Sequence, residues 1–184
     1  SIYNITKPVR SRISVPVSST AKSSNSIYGI DLIDMNFHTT NDTDREIYRY
    51  IFTCVDVFSS KVWLRPIKAN SSAATKESFE SILNETNVIP RSIITDNGPE
   101  FKSVFKEFCK EKGIRIRKIQ TYQPQSNPAE RMNLMVRNVM RSFIVKYKDN
   151  DFYRYLPNVQ KNINNSFILA KKATSNELWA NTIS

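Results

Sequence analysis

Apolar positions along this chain follow two patterns, and the change from one to the other outlines the fold. From residue 27, IYGIDLIDM is a short apolar run broken by two acids, which reads as a buried strand. After the polar stretch NFHTTNDTDRE comes YRYIFTCVDVF, β-branched and aromatic, a central strand. KVWLRPIK follows a turn-like SSK and reads as its hairpin partner; the short joins predict antiparallel pairing. The spacing then becomes helical over 71–86, where Phe79, Ile82 and Leu83 share a face and serine at the start supplies a cap. SIIT is a short strand ending at TDNG. Residues 101–112 place Phe101, Val104, Phe105, Phe108 and Cys109 on one helical stripe, and Gly113 ends it. IRIRKI alternates, predicting a fifth strand. The loop TYQPQSNP leads into a long helix from about Ala129 to Tyr147, and a further helix is predicted over 152–168.

That order predicts an α/β fold: a mixed five-stranded sheet, three antiparallel strands and then two parallel ones, flanked by helices. It is the order of the ribonuclease H-like architecture, although order alone leaves other mixed sheets open. Residues 1–26 differ in texture. They are Ser-rich, with Lys7, Arg10, Arg12 and Lys22 but no acid, and read as a basic linker or arm ahead of a core domain over 27–184. The start at Ser1 without Met suggests a piece of a larger protein. No stretch approaches the roughly 20 apolar residues that cross a bilayer, so no membrane partner is expected.

Charge sharpens the picture. The chain carries a formal +10, with twelve Lys/Arg against three Asp/Glu between residues 101 and 148, whereas residues 27–60 hold two Arg and six acids. A basic half favours a polyanion, through phosphate neutralisation and counterion release, but a merely solvated lysine face is equally open on charge alone. Cys54 and Cys109 sit in apolar runs and read as buried thiols, and His38 lies in polar text with no supporting motif. These residues exclude a cysteine framework and a Cys/His zinc cluster.

The acids carry the candidate chemistry. Phosphodiester chemistry is served by two divalent ions held by a few carboxylates, and magnesium prefers such oxygen ligands. Asp31 interrupts an apolar strand, where a carboxylate is costly unless paired or metal-bound. Asp34, three positions on, points to the opposite face. Asp96 ends the fourth strand, at the edge where open α/β sheets gather ligands. Glu130 opens the long helix, and Asn133, Leu134, Arg137 and Arg141 fall on its face at 100° per residue, a surface suited to a phosphate backbone. Each acid also has a plain reading as a cap, turn or surface residue; Asp96 before Asn-Gly would make a good turn with no further role.

ITDNGPEF, FKEFCKEKGI and YQPQSNPAERMN together resemble the integrase cores of retroviruses and gypsy-type retrotransposons, the DDE superfamily. YGIDLIDM and VDVFSSKVWLRPIK are similar to integrases of Maverick (Polinton) transposons. The likeness covers about residues 27–180, with its motifs in the family's order. It implies that Asp31, Asp96 and Glu130 are the catalytic, metal-binding acids, holding two Mg2+ per site, with Mn2+ able to substitute. The gap between the last two acids, 33 residues, is slightly short for the family. Tyr28 stands where members often have Trp, and Leu134 where an Arg is common. Asn97 and Gly98 would shape the turn beside Asp96; Asp56 is expected to be structural. The resemblance further implies DNA contacts from Tyr122, Gln123, Gln125, Ser126 and Asn127 in the loop, and from Arg131, Asn133, Arg137 and Arg141 on the helix. The implied activity is 3′-end processing and strand transfer of mobile-element DNA, in the nucleus, by a homo-oligomer (dimer or tetramer) bound to element-end and target DNA. A domesticated, non-catalytic DNA-binding or assembly domain and a ribonuclease H-like nuclease are the alternatives.

Overall fold

The computed structural model describes residues 27–35, 48–119, 127–148 and 151–183. Five strands form the main sheet: β1 (Ile27–Asp34), β2 (Tyr50–Asp56), β3 (Val62–Ile67), β4 (Ser92–Thr95) and β5 (Arg115–Lys118). Their spatial order is β3-β2-β1-β4-β5; β1 runs antiparallel to β2 and β2 to β3, while β4 and β5 run parallel to β1. This is the mixed sheet that the strand texture predicts. Both parallel joins are helical crossovers, α1 (Ser72–Thr86) and α2 (Ser103–Glu111). Beyond the sheet lie α3 (Pro128–Tyr147), α4 (Leu156–Asn164), a small hairpin of β6 (Phe167–Ile168) and β7 (Ala173–Thr174), and α5 (Ser175–Ile183).

Strand alternation divides the core into two. Tyr28, Ile30, Phe52, Cys54 and Trp63 face Phe79, Ile82, Phe105, Phe108 and Trp179. Ile33, Ile51, Val55, Val62 and Leu64 face Met132, Val136, Val139 and Met140 of α3 and Leu156, Val159 and Ile163 of α4. Both cysteines are buried free thiols within the first cluster. The outer edge of β3 is covered by amides of α4. Asn164 both accepts from Val62 N and donates to Val62 O at 2.8 Å, and Gln160 accepts from Leu64 N at 2.8 Å. A hydrogen-bonding edge is thereby closed to other chains. At the opposite edge, β5 presents exposed Arg115, Arg117 and Lys118.

Three expectations shift. The helix expected over 101–112 divides into a 3-10 turn at Pro99–Phe101 and α2, with Lys102 between them and Ser103, the first residue of α2, at φ 46; Val104 is half exposed, off the buried stripe. The helix expected over 152–168 begins as a 3-10 turn, Phe152–Tyr155, and ends at Asn164, before β6. Pro157 sets the start of its α-helical part, because proline fits the first turn, where its missing N–H is no loss. Helix α5 was not foreseen; its Trp179 is buried against Trp63 at 5.0 Å between ring centroids. The arm of residues 1–26 and His38 lie outside the described residues.

Candidate active site

The parallel pairing of β1 with β4 places Gly29 beside Ile94. Asp31 lies two residues further along β1 and Asp96 one residue past the end of β4, so continued alternation sets both on the same face of the sheet. That is the face covered by α3, which begins two residues before Glu130. Asp34 falls on the other face, as its offset requires, and pairs with Arg49 at 2.9 Å.

The start of α3 is fastened to β1 by one side chain. Asn127 donates from Nδ2 to Ile30 O at 2.8 Å and accepts at Oδ1 from Ala129 N at 3.1 Å, so it caps the helix and ties it to the strand. Gly29 makes the approach possible: a Cβ there would lie 2.9 Å from Asn127 Oδ1 and 3.0 Å from Ala129 N. Asn127, for which the resemblance implies a DNA contact, is buried with its amide nitrogen and oxygen each bonded to backbone, and so anchors the helix. A polar loop residue and a helix cap look alike in sequence.

Asp31 is partly buried. Its Oδ1 accepts from Leu32 N at 2.9 Å, and its Oδ2 accepts from Asn133 Nδ2 at 2.8 Å. Burial pushes its pKa up to about 6, the Leu32 N–H opposes this, and the negative charges of Asp96, Glu130 and Glu100 push it further up. Asp96 is exposed, with Oδ1 accepting from Gly98 N at 2.9 Å in the turn that Asn97 and Gly98 shape. Glu130 is exposed in the first turn of α3. In this arrangement no three acidic, cysteine or histidine side chains among the described residues are gathered closely enough to hold one ion. The donor set nevertheless suits a hard dication: it is all oxygen, and its most buried member is opposed by like charges.

The helix face divides where a single surface was expected. Leu134, Arg137 and Arg141 point outward, whereas Asn133 is only 8% exposed and turned to Asp31. An offset of three residues leaves it about 60° to one side of Glu130, toward the sheet. Asn133 thus donates its amide to Asp31 from the margin of the helix that meets the sheet. Arg137 reaches the Asp34 carbonyl at 3.3 Å, and Arg131 is partly buried. Tyr122, Gln123, Gln125 and Ser126 lie outside the described residues. One acid escaped notice in the sequence: Glu100 is buried beside this cluster, although its place after Asn-Gly-Pro gives no cue beyond a solvated turn.

The integrase core domain family model matches residues 21–124, more than half of the chain. The chain belongs to the integrase core family. It is 32% identical over 133 residues to the Pro-Pol polyprotein of Simian foamy virus type 1, covering 71% of this chain and 11% of that protein. It is likewise 32% identical over 113 residues to the Pol polyprotein of radiation murine leukemia virus (strain Kaplan), covering 60% of this chain and 19% of that protein. The integrase core thus spans only a small part of these curated relatives. Among solved structures, the simian T-cell lymphotropic virus intasome superposes with TM-score 0.75 at 22% identity, over 85% of this chain and 55% of that one. The magnesium complex of the HTLV-2 integrase catalytic core, in a trimeric form, gives 0.69 at 21% identity, over 85% and 97%. These likenesses establish the ribonuclease H-like fold.

Proposed function

We propose that this integrase core trims the 3′ ends of a mobile element's DNA and joins them to target DNA, with Asp31, Asp96 and Glu130 holding two divalent cations. The observation that carries this reading is the partly buried Asp31 carboxyl, set among other acids where β1 lies beside the carboxyl end of β4. A dication would relieve the like-charge repulsion that Asp96, Glu130 and Glu100 exert on Asp31. When bound, magnesium or manganese would activate a water or a DNA 3′-hydroxyl and stabilise the leaving oxygen.

The chain's own groups orient that chemistry. Asn133 holds Asp31 Oδ2 and Gly98 N holds Asp96 Oδ1, so the two carboxylates present their remaining lone pairs from fixed strands. Asn127 and Gly29 hold the first turn of α3, and with it Glu130, against β1. Arg137 and Arg141, outward on the same helix, would contact phosphates, together with the loop that carries Tyr122, Gln123, Gln125 and Ser126. Two DNA ends must be held at once, which calls for a homo-oligomer, and target DNA in a chromosome would place its action in the nucleus. The relatives' solved forms include a dimer, a trimer and an intasome.

Asp96→Asn tests the assignment in the complete enzyme. Strand joining with Mg2+ is expected to vanish while circular dichroism and the melting temperature stay near those of the parent. Joining that persists in this variant removes the role given to Asp96.

A further inference from the structure

We propose that Glu100 is a fourth carboxylate of the cation site, a positioning residue that strengthens divalent-ion binding without belonging to the three-acid pattern. The inference rests on the cation-binding reading given above. Glu100 lies in the 3-10 turn Pro99–Phe101, directly after the Asp96 turn, and is 7% exposed. Its carboxyl group covers the α-carbon of Gly98: a Cβ there would stand 2.5 Å from Cδ and from both carboxylate oxygens. The same glycine donates its N–H to Asp96 Oδ1 at 2.9 Å, so one residue seats both acids. The charge of Glu100 acts on Asp31 and is itself acted on by Asp96, with Lys102 the opposing cation.

An acid in such a place could simply be awkward packing, but two further side chains point to a missing ligand. Glu100 Oε2 is buried with no hydrogen-bond partner. Asn133, 8% exposed, donates its amide to Asp31 Oδ2 and leaves its own Oδ1 buried and unpartnered. Thr53, fully buried and directly across from Asp31 on β2, has an unpartnered Oγ1. Three elements thus contribute buried oxygens without donors to the surroundings of one acid. Native proteins rarely leave such acceptors unsatisfied. A hydrated dication held by the carboxylates would supply donors to these three, whereas the unpartnered Tyr28 hydroxyl, Asp56 Oδ1 and Ser92 Oγ belong to other parts of the sheet. Glu100 fits that outer shell: it adds charge without competing for the open face that Asp96 and Glu130 present.

Glu100→Gln keeps shape and removes the charge. In the 184-residue chain, Mn2+ titration by calorimetry is expected to show affinity lower by roughly tenfold, the scale of outer-shell partners. The melting temperature in chelator is expected to rise, since a buried like charge is gone, and its increase on adding Mn2+ to shrink. Glu100→Met, similar in length and uncharged, should lose affinity equally and serves if the first variant does not fold. Unchanged Mn2+ affinity in either folded variant, with Asp96→Asn impaired, overturns this proposal alone. Unchanged affinity in Asp96→Asn as well overturns the cation reading beneath it.

Discussion

Asp31, partly buried, and Asp56, fully buried, are carboxylates on adjacent strands of one sheet, and they are furnished differently. Asp56 closes the β2–β3 hairpin: its Oδ2 accepts from Ser59 N at 2.7 Å and Ser59 Oγ at 2.6 Å, and the Lys171 charge opposes the upward push of burial on its pKa. Lys171 in turn donates to Ser60 Oγ at 3.0 Å and to the Phe58 carbonyl, so the lysine and the turn are one unit. Asp31 has an N–H and an amide for its oxygens, and the charges of Asp96, Glu130 and Glu100 push its pKa up. Asp56 has two donors on one oxygen and a lysine charge acting on it, while its Oδ1 is buried without a partner. Asp31 is supplied with more acids, an arrangement that makes sense when a cation arrives from solution.

The contrast breaks most sharply under substitution. Asp31→Asn is expected to abolish strand joining and Mn2+ binding while leaving the metal-free protein at least as stable as the parent, because it removes a repelled charge. Asp56→Ala should do the reverse. It strands the Ser59 donors inside the protein, at about 1–3 kcal/mol of stability, and leaves Mn2+ affinity untouched. Urea unfolding and calorimetric titration of the two variants measure both halves. A destabilised Asp31→Asn with normal metal binding would make the two aspartates equivalent and end the distinction.

A smaller effect is expected from pH. Folding raises the pKa of Asp31 from 3.8 to about 6 and that of Asp56 from 3.8 to about 7, chiefly through burial. The folded state therefore binds these protons more tightly than the unfolded chain does. Their stabilising contribution is complete below pH 3.8 and is lost as pH rises through 6 and 7. In chelator, the melting temperature should fall between pH 5 and pH 8. Adding Mn2+ at pH 8 should recover the part due to Asp31 and not the part due to Asp56. A melting temperature that climbs over the same interval contradicts the assignment of both shifts.

Much of this was legible in the chain itself, and the misses share a cause. The five strands followed from apolar runs and alternation, and the placement of Asp31 and Asp96 followed from an acid inside such a run and an acid at a strand end. Local pattern was less informative where an element is short or held by partners distant in sequence. Helix α5 was missed because Ser175–Ile183 has little periodic text and is held partly by Trp179 docking on Trp63, 116 positions earlier. Asn127 looked like a loop residue because its partner, the Ile30 carbonyl, is 97 residues away. Asn133 was assigned to the outer surface because a helical wheel does not say which margin meets the sheet. Glu100 was overlooked because its burial comes from the fold of the turn over Gly98, which no residue pattern records.

Anomalous diffraction from crystals of this chain equilibrated with saturating Mn2+ tests the central claim most directly. The account predicts manganese ligated by Asp31 and Asp96, with the Glu130 carboxylate turned toward the same cluster and Asn133 still on Asp31. Saturating Mn2+ that leaves this position empty, or that settles on other acids, would contradict it.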